Sequence, residues 1–139
     1  MIYLRETQDR EKFVKEVMNL EINKQIQSIK KVLIKPNIVS HEPYPSTTHP
    51  IVLKTCLDYF LSHKKSVVVA DRPAPDAGDS KKLLDNHELK RICDSFDVPL
   101  LDLIKSEMKT VELEDFTLEI SSLPLQYDFI LSLPVLKSH

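Results

Sequence analysis

Glycine is nearly missing from this chain. Gly78 is its only one in 139 residues, where average usage of about 7% would supply roughly ten. The shortage removes whole mechanisms. A Walker loop, a dinucleotide fingerprint and a nucleophile elbow each need glycines, for positive φ or for close approach of backbone to phosphate, so none of the three is encoded here. Cysteine is also scarce. Cys56 and Cys93 sit far apart inside helix-like apolar patterns, which reads as two small buried residues and fits a reducing cytoplasm. Long apolar runs are lacking too: none approaches the ~18 to 20 residues a membrane span needs, and Met1–Glu6 has neither the basic nor the apolar region of a signal peptide. A soluble, cytoplasmic protein with no membrane partner is expected. Nor does charge of one sign dominate. Nineteen basic residues against 21 acidic ones give a formal charge of −2, so a nucleic-acid partner held by a lysine and arginine excess is not expected.

What is present suits a single folded unit. With 42% hydrophobic and 29% charged residues, residues 1–139 are enough for one core and too few for two ordinary domains. Nine prolines take over the punctuation that glycine would supply, and several directly follow apolar runs, which makes the loops stiff. From Asp9 to Leu20 the residues Phe13, Val14, Val17 and Met18 share a stripe opposite charged positions, the pattern of an amphipathic helix. Residues 31–39 read as a buried strand interrupted by Lys35-Pro36-Asn37. The proline-stiffened loop His41–Pro50 leads into a helix over Ile51–Ser62, with Thr47, Thr48 and Pro50 supplying the cap and first-turn proline.

Ser66–Ala70 is a β-branched strand that delivers Asp71 into a loop. Asp79 or Ser80 then caps a helix to about Phe96, and Val98–Leu103 is a third strand. Apolar alternation changes phase at Glu114-Asp115, which predicts a hairpin with polar outer faces, and Phe129–Leu133 is a last buried strand ended by Pro134. The order of strands and helices implies an α/β fold: a three-layer-like domain with a mostly parallel sheet, right-handed βαβ crossovers and one added hairpin.

Four segments recur in this order in a known family: Val32-Leu33-Ile34-Lys35-Pro36-Asn37, Ser46-Thr47-Thr48-His49-Pro50, Val67-Val68-Val69-Ala70-Asp71 and Leu133-Pro134-Val135-Leu136-Lys137-Ser138-His139. The chain resembles domain of unknown function family 362. Three departures stand out: His49 where that pattern usually has Asp, no early glycines after Asp71, and Ser138 in place of Thr. The family pattern continues past the Lys-Thr-His-like segment, so the resemblance implies that this chain corresponds to the N-terminal part of a longer domain. Many members are described as iron–sulfur proteins, yet no cluster-binding cysteine motif exists in this chain. Its cofactor is therefore left unknown.

Lys35, Asn37, Asp71, Lys137 and His139 all fall immediately after strands, and parallel strands bring such exits to one sheet edge, where α/β proteins hold ligands. Lys35, Asn37, Thr47, Thr48 and Lys137 are the candidate ligand-binding residues, suited to a carboxylate or phosphate. Asp71 and His139 are the candidates for moving a proton. No metal site is read, because the Asp71, Asp76 and Asp79 spacing is not that of a calcium loop, and His41, His63 and His87 read as surface residues. The expected function is binding or transformation of an anionic small molecule at the C-terminal edge of the sheet. The alternatives are a non-catalytic binding or assembly module, forming a homo-oligomer through an open sheet edge, and a family fragment without a working site.

Overall fold

Val32-Leu33-Ile34 and Val67-Val68-Val69-Ala70 are apolar on every position, a pattern that strands satisfy when both sheet faces are covered. They form the centre of the sheet. The computed structural model describes residues 1–137, and over these the chain runs α1 (Arg10–Glu21), β1 (Lys31–Pro36), α2 (Pro50–Ser62), β2 (Ser66–Asp71), α3 (Ser80–Asn86), α4 (Glu88–Ser95), β3 (Leu100–Asp102), β4 (Met108–Glu112), β5 (Thr117–Ser121) and β6 (Phe129–Leu133). The main sheet has the order β3-β2-β1-β6, and every pairing in it is parallel. Val32 lies opposite Val67 on one side and Phe129 on the other. The Asp128 carboxylate fixes this register by accepting the Lys30 and Lys31 amides at 3.0 and 2.8 Å.

The two faces of the sheet are covered unequally. Val32, Ile34, Val67 and Val69 pack against the helices, in a core that includes Met18, Leu53, Leu57, Phe60, Leu89 and Cys93. On the other face Leu33 and Ala70 meet Leu103, with Val68, Leu101, Leu123 and Tyr127 partly buried around them. That second covering comes from the chain between β3 and β6. The sheet is therefore built outward from β1 to β2 to β3 beneath helices, and then returns across its opposite face to place β6 on the other side of β1. This reversal puts a topological switch point between β1 and β6, where open α/β sheets form a crevice.

Several element boundaries differ from the sequence expectation. The helix expected to run to Phe96 is two helices, because His87 adopts an extended backbone (φ −74°, ψ 149°) between them. Its ring is buried, and Nδ1 accepts the Leu89 amide at 3.1 Å to cap α4, so His87 is not the surface residue expected. The third strand is only three residues long, since Val98 turns into the helix-side core and Asp102 caps a 3₁₀ turn by accepting the Ile104 amide at 2.9 Å. The cap of α2 is His49, whose Nδ1 accepts the Ile51 amide at 3.2 Å, and Pro50 occupies the first turn as expected. Asp79 caps α3 through the Lys82 amide at 3.0 Å.

Both cysteines are buried, and burial pushes each thiol up to about 12. Thiols held so far above neutral pH are poor nucleophiles. The phase change at Glu114-Asp115 is a hairpin turn closed by the Leu113 amide donating to the Phe116 carbonyl at 2.9 Å. Pairing of Val111 with Leu118 and Lys109 with Ile120 gathers apolar side chains on one face of β4–β5. The polar outer faces expected of this hairpin hold for one side only: Leu113, Phe116, Leu118 and Ile120 on the other are all exposed.

Candidate functional site

Lys35 and Asp71 do not follow their strands as expected but are the next-to-last residue of β1 and the last of β2, each still paired. Because β1, β2 and β6 are parallel, these strand ends, Asn37 and the segment leading to Lys137 all lie along one sheet edge. Lys35 alternates with Ile34 and so stands on the face away from the helices. From there its Nζ reaches the Asp71 Oδ1 at 2.5 Å and the Pro36 carbonyl at 3.4 Å. The second Asp71 oxygen accepts the Ile38 amide at 2.5 Å. Asp71 is only 2% exposed, whereas the Lys35 side chain keeps 44% of its surface in solvent. Burial pushes the Asp71 carboxyl above its ordinary value, and the Lys35 ammonium and the Ile38 amide pull it back. The rim thus carries a buried carboxylate capped by a half-exposed ammonium.

The remaining edge residues form a stitch. The Thr48 hydroxyl accepts the Asn37 amide at 2.8 Å and donates to the Leu133 carbonyl at 2.6 Å, which ties the exit of β1 to the end of β6. Asn37 donates its side-chain amide to the Ser46 carbonyl at 2.8 Å, and the Thr47 hydroxyl donates to the Glu42 carbonyl at 2.7 Å. Asn37, Thr47 and Thr48 thus hold the loop over residues 37–49 against the sheet edge. Lys137 lies four residues beyond Leu133, past the exit of β6. His139 lies outside the described residues.

The loop so held walls a cleft of about 460 Å³ at the switch point, lined by Arg10, Tyr44, Thr48 and His49 on one side and by the β6 exit, Leu133–Leu136, on the other. The Arg10 guanidinium carbon stands 5.1 Å from the Tyr44 ring centroid, and its Nη2 donates to the Tyr44 hydroxyl at 3.2 Å. Tyr44 meets the His49 ring edge-on at 4.9 Å. Accepting at Nδ1 leaves the His49 proton on Nε2. Burial, with Arg10 adding to it, lowers the His49 pKa and keeps the ring neutral. Among the described residues Arg10 makes no ion pair.

Arg10 and Tyr44 were not legible as site residues in the sequence. Tyr44 carries a weak signal, the prolines on either side of it. Arg10 carries none, since a charged residue in the first turn of an amphipathic helix reaches the cleft only through the packing of α1 on α2. Among the described residues no group of His, Cys, Asp and Glu can hold a metal ion, and no helix is long and apolar enough to cross a membrane.

No curated protein and no solved structure matches the chain. The model of the family described as domain of unknown function DUF362 matches residues 32–139, which takes in β2, β3, β6 and all of β1 but Lys31 while leaving Arg10 and α1 outside, and the chain belongs to that family.

Proposed function

We propose that this DUF362 protein binds an anionic small molecule in the crevice between the exits of β1 and β6. The observation that carries this reading is a cation with no carboxylate partner among the described residues, Arg10, in a cleft at the switch point of a parallel sheet. Such crevices are where open α/β folds hold ligands. Lys35 and Lys137 add positive charge along the same edge, while Asn37, Thr47 and Thr48 position the loop that walls the site. The Lys35–Asp71 pair lies along the same sheet edge but outside the cleft lining, so in a catalytic version of this reading it takes or returns a proton only for a ligand that extends from the cleft over that rim, and His139 is the second candidate for that step. Ligands that bind only the folded state raise apparent stability by about 2.7 kcal/mol at a hundredfold excess over Kd. Thermal melts with inorganic phosphate, organic acids and phosphorylated metabolites, at matched ionic strength, are expected to show a saturable rise with at least one anion class. A flat response to every member at millimolar concentration overturns the reading.

A second reading, an assembly module, is favoured by the uncovered apolar face of β4–β5, where Phe116 is 57% exposed. Analytical ultracentrifugation separates the two: concentration-dependent self-association that Phe116→Ser abolishes supports assembly, and a monomer at all concentrations counts against it.

A further inference from the structure

We infer that the crevice selects a carboxylate carried on an apolar chain, with the head on Arg10 and the chain in the groove beneath α1. The inference rests on the anion-binding reading above and names its ligand class.

The hydrogen-bonding inventory of the cleft points first to the head group. The Thr48 hydroxyl is spent, accepting from Asn37 and donating to Leu133. The Tyr44 hydroxyl accepts from Arg10, and the His49 Nδ1 accepts from Ile51. What remains of these side chains is mainly donors: the other guanidinium N–H groups and the His49 Nε2–H. Among the described residues no acidic side chain lines the cleft. A polyhydroxylated ligand, whose hydroxyls need acceptors as well as donors, finds few side-chain partners here. An acceptor-only group such as a carboxylate matches the set, and a planar guanidinium binds it through paired N–H···O bonds.

The shape of the neighbouring surface points to the rest of the ligand. Val52 and Leu133 line the cleft and also line a second cavity of about 170 Å³, whose other walls are Phe13, Val14, Val17, Met18, Cys56 and Leu131. All of its lining is apolar. The groove runs between α1, α2 and β6, the two helices bringing Phe13 and Val52 towards Leu131. A polar head site and a purely apolar groove that share two walls suit a single amphipathic anion.

The test is calorimetric titration of the full chain with a series of straight-chain carboxylates, acetate, butanoate and octanoate, all below micellar concentration, alongside 1-octanol and inorganic phosphate. Affinity is expected to tighten by up to about fourfold per added methylene, the value for full burial of each. Octanoate is expected to bind at least about tenfold more tightly than 1-octanol, and Arg10→Met to remove that margin while Arg10→Lys keeps part of it. Methyl resonances of Val14, Val52 and Leu133 should shift with octanoate in the native chain. Equal binding of phosphate, acetate and octanoate overturns this inference and leaves anion binding standing. Equal binding of octanoate and 1-octanol, indifferent to Arg10→Met, overturns it as general apolar adsorption. Absence of binding by every anion overturns both readings.

Discussion

Asp71 and Lys35 show how unequal burial sets the behaviour of a pair. The carboxylate is almost wholly enclosed and has two partners, the Lys35 ammonium and the Ile38 amide, while the lysine stays half in water. Removing the lysine leaves a buried acceptor short of one charged partner. Lys35→Met is therefore expected to cost about 1 to 3 kcal/mol at neutral pH, the lower part of that range being favoured by the exposure of the lysine. The sign of its pH dependence follows from Asp71. Its folded value is already raised by burial, and losing Lys35 raises it further, so the variant's deficit belongs to the ionised state. Urea unfolding should show the deficit in full at pH 7 and shrinking towards pH 4, as Asp71 takes up its proton in the folded state. A deficit independent of pH would mean that lost packing of the lysine stem, and not the ion pair, is what stabilises the edge.

At the scale of elements, two helices begin on histidine. His49 caps α2 and His87 caps α4, each by accepting an amide at Nδ1, a bond that only the neutral ring with its proton on Nε2 can make. Burial lowers both pKa values; Arg10 reinforces this at His49 and His41 does so at His87, while Glu88 opposes it at both and Asp71 at His87. Groups depressed in the folded state contribute stability that is present above the unfolded value near 6.5 and lost as pH falls below it. Unfolding free energy is thus expected to fall by on the order of 1 kcal/mol per pH unit for the buried His87 once the pH drops below that value. Asparagine caps helices well and does not titrate, so His87→Asn should flatten the slope between pH 7 and 5 in chemical denaturation. A slope unchanged by the substitution would place the acid sensitivity elsewhere.

Across the whole molecule, stability is concentrated on one side of the sheet. Phe60 is fully buried at the heart of the helix-side core, and it packs 6.0 Å from the ring of Phe129. Phe60→Ala is expected to cost about 3 to 5 kcal/mol. Phe116, on the exposed face of β4–β5, is expected to tolerate serine within about 0.5 kcal/mol. Paired urea melts of the two variants check this directly, and a large loss for Phe116→Ser would show that the hairpin's apolar face is covered in solution. Helices and central strands build the scaffold, and the crevice lies at its edge between the exits of β1 and β6.

Much of this was legible in the residues themselves. Strict apolar runs identify β1 and β2, the 3.6-residue stripe identifies α1, and the phase change at Glu114-Asp115 identifies the hairpin, because period and burial are local consequences of backbone geometry. Asn37 follows its strand as expected, whereas Lys35 and Asp71 are still paired within β1 and β2, because neither proline nor polarity stops a parallel ladder whose neighbour supplies the partner groups. His87 shows the limit. A polar residue in a helical pattern looks exposed, and only the tertiary fold shows that its ring turns inward to satisfy an amide. Strand order is also a tertiary decision: nothing local tells β6 to add beside β1 instead of β3, and that choice creates the switch point. Arg10 reaches the same crevice from a segment remote in sequence because α1 packs on α2. The sequence by itself determined which elements form and which residues stand at their ends; the three-dimensional packing decided which ends meet, because contacts between distant segments are set by how whole faces are buried.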